Sequence, residues 1–267
     1  MNDDVQALGE QAERSTSLDH LVRAGMVAYG VVHLLLGWLC VQLALGGPNE
    51  DASTDGAFHT LARQPFGRTM VWAVALGMLL LVVWRVVEAG FGHRDQGDER
   101  TRKRLVSVGK AVVYAAIGFT AVKVAVGRGS GRSGGWTATV MGWPGGQWVV
   151  ALAGLAVLAY AATLLRKGWT RSFTEEITAR GQAGDLGTAF VRVGQVGHVG
   201  KGLSLALVGL LTVVAGVTHR SGKGGGLDQA LQQVLQEPYG AVLIGLVGVG
   251  LWCFGAWCFV LARHHDR

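Results

Sequence analysis

Six apolar stretches punctuate this chain, at roughly residues 21–45, 68–90, 105–126, 147–166, 193–218 and 239–262. Each has about 20 residues or more, enough to cross a ~30 Å hydrocarbon layer as an α-helix rising 1.5 Å per residue. Lipid offers no partner to an open backbone, so the stretches must be helices. The ~10-residue alternating segments of a membrane β-barrel are absent. Apolar content of 50% beside 16% charge fits this class, because the apolar residues gather in the six blocks.

The stretches repeat in pairs. Tyr29, Lys110 and Lys201 each stand eight residues before a glycine, namely Gly37, Gly118 and Gly209. Each such stretch leads, through a Gly-rich loop, to a Pro-x-Gly step that opens the next one: Pro65/Gly67, Pro144/Gly146 and Pro238/Gly240. The spacing predicts an all-α membrane protein of three two-helix repeats, at 21–90, 104–170 and 190–263, after a mobile acidic tail over 1–20. An even number of helices per repeat makes the repeats parallel. Three parallel copies are expected to close into a six-helix bundle around a pseudo-threefold axis. Glycine, 42 of 267 residues, recurs inside the stretches, as at Gly194, Gly197, Gly200 and Gly202 and at Gly240, Gly245, Gly248 and Gly250. In lipid, small residues let helix backbones approach.

The tail carries Asp3, Asp4, Glu10, Glu13 and Asp19 and no basic leader, and the first stretch is too long for a signal-peptide core, so it is expected to remain as an anchor. In 56–64 the apolar Ala57, Phe58 and Leu61, and in 227–237 Leu227, Leu231, Val234 and Leu235, fall at helical spacing. Each predicts a short interfacial helix broken before its proline. Residues 136–143, with Trp136 and Trp143, are a weaker version. Gly-rich 127–135 and 221–226 read as connectors. Ser172 with Glu175 matches a capping box, predicting a helix over 173–180 with Phe173 and Ile177 on one face and Lys167 and Arg171 near headgroups.

Orientation follows from basic residues. The two terminal flanks and the 91–104 and 166–192 loops hold 14 Lys and Arg, against 6 in the other three loops. The richer side is expected to be cytoplasmic, with both termini inside. The net charge of +6 belongs to this bias and to anionic headgroups. No basic stripe interleaved with aromatics suggests a nucleic-acid partner.

The chain resembles a bacterial membrane family known as domain of unknown function 1206. The residues that carry the likeness are "AGMVAYGVVHLLLGWL" at 24–39, "QPFGR" at 64–68, "WRVVEA" at 84–89, "GKAVVYAAIGFTAV" at 109–122 and "GHVGKGLSLALVGLL" at 197–211. A basic residue is common in the family at the positions of Lys110 and Lys201, and Tyr29 departs from it. The resemblance implies three two-helix repeats in the bacterial inner membrane. It implies no activity, substrate or catalytic residue.

Ionisable residues inside a span are costly, so each needs a reason. Lys123 lies near a helix end and can snorkel. Arg85 and Glu88, at i,i+3, can pair as an anchor or a functional couple. Lys110 and Lys201, at equivalent positions about one turn from the cytoplasmic face, either snorkel separately or converge. Together with Tyr29, His198 and Arg85, they would then form a basic vestibule for a small anion or anionic headgroup. His33, with Tyr114 at its equivalent position, reads as an interhelical hydrogen-bonding group or a proton relay. Cys40, Cys253 and Cys258 lie within apolar stretches, away from any histidine at ligand spacing, so no metal or cofactor is expected. No zincin, nucleophile-elbow or P-loop motif occurs. The expected role is non-enzymatic: structural, interacting or anionic-lipid-binding. The rival is an anion transporter or channel along the axis. Expected partners are membrane lipids, anionic ones among them, further copies of the chain, or other membrane proteins.

Overall fold

The computed structural model describes residues 16–46, 54–91, 100–127, 140–176, 178, 183–218 and 227–264. Among them it is all-helical, with eight α-helices and no strand. These are α1 Thr16–Ala44, α2 Thr54–Ala62, α3 Gly67–Phe91, α4 Arg100–Ala125, α5 Gly146–Thr170, α6 Gly184–Thr218, α7 Leu227–Leu235 and α8 Gly240–His264. Six of them, all but α2 and α7, are long and apolar enough to cross a membrane. Most of the 1–20 tail and of the 91–104 loop, the connectors 128–135 and 221–226, Trp136 and Ile177 lie outside the described residues.

The short helices α2 and α7 occupy the predicted amphipathic segments. Ala57, Phe58, Leu61 and Leu231 are buried, whereas Leu235 is exposed. The inner loop departs from expectation. In place of a helix over 173–180, a 3₁₀ turn spans Ser172–Glu176. Arg171 before it takes a left-handed conformation (φ 57°), which stops α5 and redirects the chain. The Thr178 amide then donates to the His264 carbonyl at 2.9 Å, tying the loop to the end of α8. Helix α6 begins at Gly184, earlier than the apolar stretch suggests, because its first turns carry Asp185 and Arg192.

Each Pro-x-Gly step is the same turn. The amides of Gly67, Gly146 and Gly240 donate to the carbonyls of Gln64, Trp143 and Glu237 at 2.8, 2.9 and 2.9 Å. The residue after each proline has positive φ: Phe66 at 60°, Gly145 at 73° and Tyr239 at 65°. Proline at the second position and a left-handed residue at the third make a type II turn. The closing glycine is required by space. A Cβ on Gly146 would lie 1.8 Å from the Val140 carbonyl oxygen, and one on Gly240 would lie 1.9 Å from that of Val234.

One compact unit lies within Met1–Tyr29 and Ala62–Gly129, the other within Gly30–Leu61 and Ser130–Arg267. Within each, the same contacts recur at matching offsets from the anchors. A Cβ on Gly37 would sit 2.7 Å from the carbonyl of Gly248, one on Gly209 3.1 Å from that of Gly154, and one on Gly118 3.9 Å from that of Ala75. Gly248, Gly154 and Ala75 stand at one offset from Pro238, Pro144 and Pro65. Each odd span therefore rests its anchor on the even span of the repeat before it, and the first span rests on the last. Contacts inside a repeat match as well. Gly77 of α3 meets Ala28 of α1, and Gly250 of α8 meets Gly200 of α6, with a built Cβ at 2.5 Å from its neighbour in both. Backbones this close gain dispersion along the seam, which is what holds helices together where lipid is as apolar as leucine.

Candidate functional site

Two clusters of polar side chains lie within the spans, one in each unit. The first is built on α3 and α4, with Tyr29 of α1. Arg85 and Glu88 stand one turn apart on α3 and form an ion pair, with side chains only 12% and 21% exposed. The Ser107 hydroxyl of α4 donates to Glu88 Oε2 at 3.0 Å. Arg85 also lies within hydrogen-bonding reach of Tyr114, and Lys110 exerts an electrostatic pull on Glu88. The Tyr114 ring meets Tyr29 edge-on, 5.1 Å between centroids. Tyr29, Ser107 and Tyr114 are buried and Lys110 is half-buried. Next to this cluster, Arg104 Nη2 donates to the Gly90 carbonyl at 2.6 Å, fastening the start of α4 to the end of α3. The Nε–H groups of Arg85 and Arg104 find no acceptor among the described residues.

An ion pair in low dielectric is tolerated when further hydrogen bonds satisfy the remaining lone pairs, and Ser107 does this for Glu88. Of the predicted residues, Tyr29, Arg85, Glu88, Lys110 and Tyr114 are thus brought together. Ser107 was missed, and the sequence signal for it is weak: a serine about one turn before Lys110.

The second cluster is built on α6 and α8. His198 and Lys201 lie on α6 among Gly194, Gly197 and Gly200, whose bare backbone admits α8. A Cβ on Gly197 would meet the Phe254 backbone at 2.5 Å, and one on Gly194 would strike the rings of Phe173 and Trp257 at 2.6 Å. His198 Nδ1 is 2.7 Å from the Gly194 carbonyl. A carbonyl can only accept, so Nδ1 carries the proton. The imidazole stacks on Phe173, with 4.6 Å between centroids and 13° between planes. Phe254 and Trp257 meet the same imidazole edge-on. The Lys201 ammonium sits 3.8 Å from the centroid of the Phe254 ring. His33 of α1 faces the Phe254 ring at 4.8 Å.

Lys201 is 6% exposed and His198 4%. The His198 imidazole therefore lies inside an aromatic box, and the Lys201 charge lies over the face of one of its rings, Phe254. Lys110 and Lys201 belong to different units, and each has its own neighbours. Arg85, expected near the vestibule with His198, belongs with Lys110. Phe173, read from the sequence as a residue on an interfacial helix face, is fully buried and closes the box. No group of His, Cys, Asp and Glu suited to a metal ion occurs among the described residues.

The chain is 27% identical over 230 residues to the Bacillus subtilis (strain 168) protein named "Uncharacterized protein YxxB", a match covering 84% of this chain and 83% of that protein. No solved structure matches. The family described as Domain of Unknown Function (DUF1206) matches three times in tandem, at residues 24–92, 105–171 and 196–265. These matches take in the ionisable residues of both polar clusters and all three turns, and the chain belongs to that family.

Proposed function

We propose that the chain is a non-enzymatic, multi-pass protein of the bacterial inner membrane that holds an anionic lipid headgroup at the Lys110 end of α3 and α4. The observation that carries this reading is the set of cationic groups gathered there. Lys110 is half-buried, the Nε–H groups of Arg85 and Arg104 lack a described acceptor, and α4 opens on the basic run 100–104. Buried donors are normally satisfied, and phosphate oxygens would satisfy these. A basic run at a helix end next to the membrane suits anionic lipid, each basic contact contributing about 1 kcal/mol. The same run weighs in the basic bias that would place this end, and both termini, in the cytoplasm. Lys201 takes no part in this reading, because its charge is already over the Phe254 ring.

The test uses the full chain in nanodiscs of mixed phosphatidylglycerol and phosphatidylcholine. Lys110→Gln should lower the preference for phosphatidylglycerol about fivefold, the equivalent of roughly 1 kcal/mol. Lys123→Gln, at the other end of α4, should leave it unchanged. An unaltered preference in Lys110→Gln would overturn the reading.

A further inference from the structure

The seams between odd and even spans are not equally tight. At Gly37 and Gly209 a built Cβ would fall 2.7 and 3.1 Å from the opposing carbonyl, but at Gly118 the distance is 3.9 Å, and the nearest opposing atom there is the Met78 Cβ at 3.1 Å. The seam between α3 and α4 therefore stands wider at the backbone than its counterparts. Along it lies a groove of about 350 Å³. That volume lies within the range of sites that hold small ligands, roughly 300–1,000 Å³. Ala75, Ala115 and Gly118 are its small residues, and Leu79 and Phe119 line it as well. It runs from Val82 and Tyr114 at one end to Trp72 and Val122 at the other.

We infer that this groove seats one acyl chain of an anionic phospholipid whose headgroup lies at Lys110, an inference that rests on the headgroup reading above. Three observations lead to that occupant. The lining is apolar along its length, so a polar ligand has nothing to bind inside it. Tyr114 to Val122 is eight residues of helix, about 12 Å at 1.5 Å per residue. A single leaflet of a ~30 Å hydrocarbon layer is about 15 Å deep, so the groove matches one acyl chain lying along the membrane normal. The charge lies at one end: Tyr114 sits one turn from Lys110, with Arg85 and Arg104 beyond it. At the opposite end Arg68 Nε already donates to the Ala125 carbonyl at 2.8 Å.

A lipid held this way differs from one that only touches the protein surface. Its chain fills a groove along the wider of the seams, and its phosphate meets donors that lack an acceptor among the described residues. The groove should therefore set retention and the charged end the headgroup preference, and each can be removed separately.

The experiment is native mass spectrometry of the full chain, released from detergent after exchange with equal phosphatidylglycerol and phosphatidylcholine. Ala115→Trp and, independently, Val122→Trp fill the groove from positions that line it. Each should cut the retained lipid of either headgroup at least tenfold. Lys110→Gln should leave one lipid bound while removing the preference for phosphatidylglycerol. Leu155→Trp, on the exposed face of α5, should change neither. Wild-type retention in both filling variants would overturn the groove assignment, whatever Lys110→Gln does to the headgroup preference. Loss of preference in Lys123→Gln in place of Lys110→Gln would put the headgroup at the wrong end and overturn it too. A dimer mass that disappears in the filling variants, with lipid unaffected, would assign the groove to a second copy of the chain.

Discussion

Phe66 and Tyr239 occupy a backbone conformation that costs a residue with a Cβ about 1 kcal/mol or more, yet both stand where Gly145 stands in the second repeat. Both rings are more than four-fifths exposed, Phe66 at 84% and Tyr239 at 83%. An exposed aromatic at a span end fits a membrane–water interface, where an amphipathic ring sits at headgroup level. The strain is tolerated because proline and the closing hydrogen bond dictate the turn. Gly145→Ala should therefore destabilise the chain by about 1 kcal/mol. Gly146→Ala should cost more, since its Cβ would collide with the Val140 carbonyl. Thermal unfolding in detergent should rank the two in that order, and equal costs would show that the turn is not the constraint. The Lys201–Phe254 contact offers a second measurement. A double-mutant cycle of Lys201→Met and Phe254→Leu should yield a coupling of about 1–2 kcal/mol, the range for a desolvated cation–π pair. A coupling near zero would mean that the ring only fills space. The turn's proline and closing glycine are legible in the sequence because backbone geometry forces them. Its left-handed middle residue is not, because phenylalanine and tyrosine are poor indicators of positive φ.

Helix α3 carries an acid and a base one turn apart, and their value depends on α4. Without Ser107 and Tyr114, the pair would be two charges in a span with half their hydrogen bonds unmade. Glu88→Gln leaves the Arg85 guanidinium without its counter-charge and should destabilise by about 3 kcal/mol or more. Replacing both, Arg85→Met with Glu88→Leu, removes the buried charge altogether and should cost less than the single change. A double variant less stable than Glu88→Gln would show that the pair contributes net stability. The i,i+3 pairing itself was legible, because helical periodicity alone places the two side chains together. The partners on α4 were not, since interhelical register depends on packing. The same limit explains Phe173. Its burial follows from the tie between Thr178 and His264 and from the space over Gly194, neither of which has a local sequence signature. Gly194 tests this contact directly: Gly194→Ala would drive a methyl into the Phe173 and Trp257 rings and should lower the unfolding temperature, whereas Gly109→Ala, where no atom lies within 4 Å, should not.

At the scale of the whole chain, the three repeats were legible because packing glycines and turn prolines are demanded by backbone contacts, and those contacts recur at fixed offsets. Side-chain chemistry was less legible because the repeats diverge in it: one anchor position holds Tyr29, the next Lys110, within electrostatic reach of Glu88, and the third Lys201, with its charge over the Phe254 ring. The remaining whole-molecule property is orientation, and it governs which leaflet could supply a lipid to the α3–α4 groove. The basic residues divide 14 to 6 between the two sides, which favours the termini and the 3₁₀ loop in the cytoplasm. After replacement of Cys40, Cys253 and Cys258, a single cysteine can report each side. Glu175, exposed beside the 3₁₀ turn, marks one side, and Gln236, exposed just before Pro238, marks the other. Helix α6 is the one span between the two sites, so the reporters must sit on opposite faces of the membrane. In intact cells a membrane-impermeant maleimide should label Gln236→Cys and spare Glu175→Cys until the membrane is opened. The reverse pattern would invert the topology. The Lys110 end would then meet the outer leaflet, and the basic bias would need another cause, with phosphate binding by Arg104 and Lys110 the first to test.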